Sequence, residues 1–267
     1  MRMVRRIDRF ASRLSIVTAM IVLLVLSFVL IDVKAQPVLG PAWASIPPII
    51  DGVLSPGEWA DADSETFTMG VAAATIYVMN DQNNLYVAVK IQDDDTGNDE
   101  LTIQFDNDNA GGALVKGDDN LAWWDSFFDT YFEPPTAIYQ DTSDGGTDDG
   151  SGGRTQDGLM IWYFEFSHPL DSNDNLHDFS LSLGSTVGFE LSWRDRKPDQ
   201  PSSFHYWPAA TWTDPNNYGD IVIAIGTRIV GGVITATNKF EILTPYLALA
   251  GLVVAVSTIA VVKRKRG

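Results

Sequence analysis

The sequence predicts an all-β fold, a two-sheet antiparallel sandwich of the immunoglobulin-like or jelly-roll type, followed by one C-terminal transmembrane helix. Three observations predict it. Short segments with an apolar residue at every second position recur through the middle of the chain. Turn dipeptides and Asp/Gly-rich stretches separate them, and no amphipathic helical period of any length intervenes.

At the N-terminus, Arg2, Arg5, Arg6, Arg9 and Arg13 precede an uncharged apolar run from Ile16 to Ile31, and Val33 and Ala35 fit a small-residue cleavage site before Gln36. This is the layout of a secretory signal over residues 1–35, which stays as an anchor if it is not cleaved. A linker over 36–45 follows. Asp51-Gly52 and Pro56-Gly57 are turn dipeptides, and Trp59 between the second turn and the next apolar run reads as a core plug. Residues 71–90 read as a hairpin turning at Asp81 to Asn84, with Leu85, Val87, Val89 and Ile91 on one face of its second arm.

The central stretch from Leu101 to Asp125 starts as a strand (Leu101, Ile103, Phe105) and becomes a loop dense in carboxylates and glycine. Like charges this close repel unless a hard cation takes their oxygens. Asp106, Asp108, Asn109, Asp118 and Asp119 are the expected ligands, and calcium the expected ion. A solvated acidic loop is the plainer alternative. The stretch is not an EF-hand, because the fifth and twelfth positions counted from Asp106 are Ala110 and Gly117.

Further strands are expected in FFDTYFEP, in LMIWYFEF from Leu159, in DFSLSL from Asp178, in TVGFELSW from Thr186 and in DIVIAI from Asp220. In TVGFELSW, Val187, Phe189, Leu191 and Trp193 take one face and Gly188, Glu190, Ser192 and Arg194 the other. The Gly/Asp-rich run between Gln140 and Gly158 is expected to be a mobile loop, with a second cation loop as the alternative. The sandwich occupies 46–226 and a juxtamembrane stalk 227–241. Residues 242–262 are apolar or weakly polar throughout, long enough to span a bilayer, and the basic tail at 263–267 marks the cytoplasmic side. The expected location is the cell membrane, single-pass, with the sandwich extracellular.

Residues 36–240 hold 8 basic and 32 acidic residues, a net charge of −24. Nucleic acid is therefore not an expected partner, since phosphate binding needs clustered Lys and Arg. Without cysteine there is no thiolate metal site, thiol nucleophile or disulfide, and the domain depends on its core.

Taken in order, IDGVLSPGEW, LYVAVKIQDDD, FDNDNAGG with GDDN, WYFEFSHPL, TVGFELSWRD and WPAATWTDPNNYGDIVIA resemble the β-sandwich superfamily that contains family 9 carbohydrate-binding modules, DOMON domains and haem-binding subunits related to ethylbenzene dehydrogenase. The resemblance covers about residues 46–226. It implies a sandwich that binds a ligand at one end or face, often with structural calcium. In the carbohydrate-binding branch the partner is a glycan or polysaccharide held between aromatic rings and polar side chains, without catalysis. Trp207, Trp212, Tyr218, Trp124, Arg194 and Asp195 are the ligand-binding residues expected here, against the alternative that sandwich tryptophans are core.

Two other readings stand beside it. The haem branch implies haem b with axial ligands from Met69, Met79, Met160, Lys90, His168, His177 or His205, and the absence of CxxCH excludes covalent attachment. His168, in FSHPL, departs from the apolar residue usual there and reads first as a structural histidine. A surface domain that binds cell-envelope proteins is the third reading. Glu165, Glu190, Asp195 and Asp199 are the carboxylates from which a glycosidase pair would have to come, and strand carboxylates are expected to face solvent.

Overall fold

The structure, a computed structural model, describes residues 36–226. The expected signal, stalk, membrane span and basic tail lie outside the described residues, among which no helix is long and apolar enough to cross a membrane. The described strands are β1 (Val38–Leu39), β2 (Asp63–Met69), β3 (Ala72–Asn80), β4 (Asn84–Gln92), β5 (Glu100–Asp106), β6 (Asp119–Trp123), β7 (Phe127–Glu133), β8 (Ala137–Gln140), β9 (Ser151–Gln156), β10 (Ile161–Pro169), β11 (Thr186–Asp195), β12 (Ser203–Trp207) and β13 (Gly219–Val222). The larger sheet runs β1-β13-β11-β5-β6-β7-β8, with β12 also paired to β11, and the smaller runs β2-β3-β4-β10-β9. Two sheets and an all-β chain are what the alternation predicts. The expectation of purely antiparallel pairing needs one correction, because β1 joins β13 in parallel.

Period-two alternation builds the core. Leu85, Val87, Val89 and Ile91 of β4 and Trp162, Phe164 and Phe166 of β10 meet Leu101, Ile103 and Phe105 of β5 and Val187, Phe189, Leu191 and Trp193 of β11 in one buried cluster. A one-residue slip of any of these strands would turn its apolar set outward, so the burial fixes the register.

The smaller sheet is also covered on its outer face. Trp59, Met79, Tyr86 and Ala88 form a second core with Ala44. Trp59 is the expected plug, and its Nε1 donates to Glu165 Oε1 at 2.8 Å, while the amides of Asp51 and Gly52 donate to Oε2 at 3.1 and 2.7 Å. Glu165 is therefore fully buried and does not face solvent as expected of a strand carboxylate.

Two other expectations differ from the structure. DFSLSL makes only an isolated bridge, Asp171 to Ser180, although Phe179 and Leu181 turn into the main core as a strand's alternate residues would. Conversely, the end of the Gly/Asp-rich run is a strand, β9, paired to β10. A Cβ on Gly152 would sit 2.6 Å from the Phe127 ring, and one on Gly153 would sit 2.4 Å from the Gly52 amide. Glycine serves close packing there, and the same run places Asp141 at full burial.

Candidate ligand-binding face

The inner face of the larger sheet is core, and its outer face carries a row of polar and aromatic side chains. Tyr206 of β12 pairs with Ser192 of β11, Ser192 with Thr102 of β5, Thr102 with Ala122 of β6 and Ala122 with Phe128 of β7. Because side chains alternate, these five lie on one line across five strands. Phe204, opposite Arg194, stacks parallel to Tyr206 at 6.4 Å between centroids, and Trp124 lies 4.9 Å from the Phe128 ring. Aromatic rings thus flank a polar floor of Arg194, Ser192 and Thr102 on both sides, with β12 and β6 three strand spacings apart, about 14 Å.

Fixed partners hold the polar floor. The Arg194 guanidinium donates to Glu100 Oε2 at 3.2 Å and to Ser202 Oγ at 3.1 Å and lies 5.3 Å from the Phe204 ring centroid. Trp124 Nε1 donates to Thr102 Oγ1 at 3.3 Å. Phe204 is 52% exposed, whereas Trp124, Phe128, Ser192, Arg194 and Tyr206 are half-buried, so each keeps part of its surface open.

The next line of the same face is buried and polar: Glu190 pairs with Gln104, Gln104 with Asn120 and Asn120 with Thr130. Both carboxylate oxygens of Glu190, Gln104 Nε2 and Asn120 Oδ1 have no hydrogen-bond partner. Burial pushes the Glu190 carboxyl well above its usual range. The Tyr206 phenol is raised first by burial and then by the Glu190 charge, as is Tyr218. Unpaired buried polar groups are costly. Four such atoms lie in a line beside the aromatic face, closed off from solvent.

The residues expected to bind ligand divide between surfaces. Trp124 and Arg194 are on this face. Trp212 and Tyr218 border it in an apolar cluster with Leu114, Phe132 and Ala209, where the Tyr218 hydroxyl donates to the Trp212 carbonyl. Trp207 belongs to the core, stacked on Phe67 at 3.8 Å, because it ends β12 on the inward-facing alternation. Asp195 also points inward, converging with Asp93 and Asp99 at the end of the sandwich. Phe204, Tyr206, Phe128, Thr102 and Gln104 were not among the expected residues. The alternation in SFHYW would have paired Phe204 with Tyr206 had that segment been read as a strand.

The acidic loop closes on its own amides. Asp106 accepts from Gly111 N, Asp108 from Ala110 N and Asp118 from Asn107 N and Val115 N, while Asn109 donates to Asp220. Among the described residues, no group of three or more carboxylate and imidazole ligands converging within 4.8 Å includes Asp106, Asp108 or Asp118. Asp119 alternates to the inner face and joins a different set. Four of the axial candidates for haem lie in different surroundings. Met69 is in the main core and Met79 in the second, His177 is bound on both nitrogens by Asp174 and Asp144, and His205 meets Ser203. An open pocket of about 480 Å³ lined by Gln82, Asn84, Leu170 and Leu183 among others has no Met, His or Lys in its wall.

No protein-family model and no curated protein matches the chain. Among solved structures, the chain is similar to a family 9 carbohydrate-binding module from Caldicellulosiruptor kristjanssonii in complex with cellotriose, at 15% identity over 71% of this chain and 94% of that chain with a TM-score of 0.49. It is similar to the same organism's family 9 module in complex with glucose at 16% identity, over 73% of this chain and 99% of that chain, with a TM-score of 0.48.

Proposed function

We propose that this chain is a non-catalytic carbohydrate-binding domain, held at the outer surface of a cell membrane by its apolar run at 242–262, and that the outer face of the larger sheet takes the sugar. The observation that carries this reading is the polar floor of Arg194, Ser192 and Thr102 between the Phe204/Tyr206 and Trp124/Phe128 rings. Pyranose rings present apolar faces that stack on aromatics and a rim of hydroxyls that needs donors and acceptors, and this face supplies the first from its rings and the second from Arg194, Ser192 and Thr102. The charge balance agrees, since a domain this acidic favours a neutral polar ligand over an anionic one.

The carboxylates support binding without hydrolysis. A glycosidase needs two acids across one cleft. Glu165 lies on the covered face of the smaller sheet and Glu190 on the opposite side of the molecule, while Asp195 points inward. These groups do not share a cleft.

The test is a glycan array probed with the full-length protein beside a Trp124→Ala, Tyr206→Ala double variant. Wild type is expected to bind a defined subset of neutral glycans, and loss of one ring from each flank is expected to lower affinity at least tenfold, about 1.4 kcal/mol. Flat binding by wild type, or an undiminished signal in a folded double variant, would refute the assignment.

A further inference from the structure

We propose that Asp119, Asp129, Asp141, His168 and Asp178 form a divalent-cation site that ties the two sheets together, and that its imidazole ligand selects a first-row transition ion such as zinc, manganese or cobalt over calcium. The residues arrive from distant parts of the chain. Asp119 and Asp129 point inward from β6 and β7 of the larger sheet, His168 points inward from β10 of the smaller, and Asp141 and Asp178 come from the segments after β8 and before Phe179. Asp119, His168 and Asp178 bring one ligand atom each within 4.8 Å of one another, as do Asp129, Asp141 and Asp178, so Asp178 joins both groups into one set.

Acidic residues alone would not make a site; the histidine is the independent observation. His168 is fully buried, and its Nδ1 lies 2.7 Å from the Pro169 carbonyl oxygen. A carbonyl only accepts, so Nδ1 carries the hydrogen, and in the neutral ring it is Nε2 that turns its lone pair toward the carboxylates. Metal-binding imidazoles are oriented in this way, with the far nitrogen donating to a carbonyl. Nε2 has no hydrogen-bond partner and stands 3.6 Å from both Asp129 Oδ2 and Asp178 Oδ1. That separation is long for a hydrogen bond. It suits two ligands of one ion, which lie roughly 3.0–3.5 Å apart when each bond is about 2.0–2.2 Å.

The carboxylates make the same demand. Both oxygens of Asp119, Asp141 and Asp178 and Oδ1 of Asp129 lack hydrogen-bond partners, while Asp129 Oδ2 is held by the amides of Asp149 and Gly150. Unpaired buried carboxylates are among the most costly arrangements a fold contains unless a cation meets them. Calcium is served by oxygen ligands alone, whereas imidazole with carboxylate suits zinc, manganese and related ions.

The competing account is a protonated His168 acting as the cation itself. To separate them, full-length protein stripped with chelator is titrated with Zn²⁺, Mn²⁺, Co²⁺ or Ca²⁺ and followed by thermal melting and, for Co²⁺, by visible absorption. The proposal expects at least one transition ion to raise the melting temperature by mass action. It expects Co²⁺ to give ligand-field bands, and His168→Gln to weaken both effects at least tenfold. If His168→Gln does not fold, Asp141→Asn is the second variant and the wild-type cobalt spectrum stands by itself. No melting shift with any ion and no cobalt bands would overturn the site in favour of a protonated His168. An equal rise with calcium that His168→Gln leaves unchanged would overturn the imidazole ligand.

Discussion

Replacing Glu165 by Ala is expected to lower stability by about 3 to 5 kcal/mol, since a single change strands two buried donors that are costly to leave unpaired and removes the packed side chain. The Trp59 indole and the amides of Asp51 and Gly52 all donate to this carboxylate. It is the polar anchor that holds the segment carrying Trp59 onto the outer face of the smaller sheet. For a domain of this size the loss corresponds to a fall of about 2–4 °C in melting temperature per kcal/mol. Trp59→Phe keeps most of the apolar volume and removes one donor, so it is expected to cost about 1 kcal/mol. Intrinsic-fluorescence melts of the full-length variants check both values. A Glu165→Ala protein melting with wild type would show that the cover is held by apolar contacts alone.

Glu190 is expected to behave in the opposite sense. It is fully buried with both oxygens unpaired, and burial raises its carboxyl well above the ordinary 4.5. A carboxyl whose folded pKa is raised imposes no ionisation penalty below its unfolded value, and stability is lost as pH rises above that value. Glu190→Leu should therefore melt above wild type at pH 8, by about 2–4 °C for each of roughly 1–3 kcal/mol recovered, with the gap narrowing toward pH 4. A variant melting below wild type at pH 8 would make Glu190 a structural residue.

The strands and their faces were largely legible in the sequence. Alternation in TVGFELSW separates the core set of Val187, Phe189, Leu191 and Trp193 from Glu190, Ser192 and Arg194, and the sheets use both sets as that pattern predicts. What the sequence conceals is pairing between distant strands. Glu190, Gln104 and Asn120 become neighbours only through the β11-β5-β6 register. Trp207 misleads because Pro208 marks it as a loop residue, although its place in β12 turns it inward.

The carboxylates illustrate the same limit. Those crowded together between Asp106 and Asp118 are close in sequence, and for that reason nearby amides satisfy them locally. The ones left without partners, Asp119, Asp141 and Asp178, are far apart in the chain and meet only after folding. A run of acidic residues thus marks where a turn is capped. An isolated aspartate on the inward alternation of a strand, as Asp129 is on β7, was the better sign of converging charge.

The most direct test of the central claim is a ¹⁵N-labelled tryptophan spectrum of the full-length protein titrated with a neutral glycan selected on the array. Eight indole N–H signals are expected from the sequence. Ligand at the proposed face should shift the Trp124 signal strongly while those of Trp59, Trp162 and Trp193, which donate to buried Glu165, Asp93 and Asp99, stay in place. A bound glycan that moves none of the outer-face signals, or moves only the buried ones, would contradict the assignment of that face.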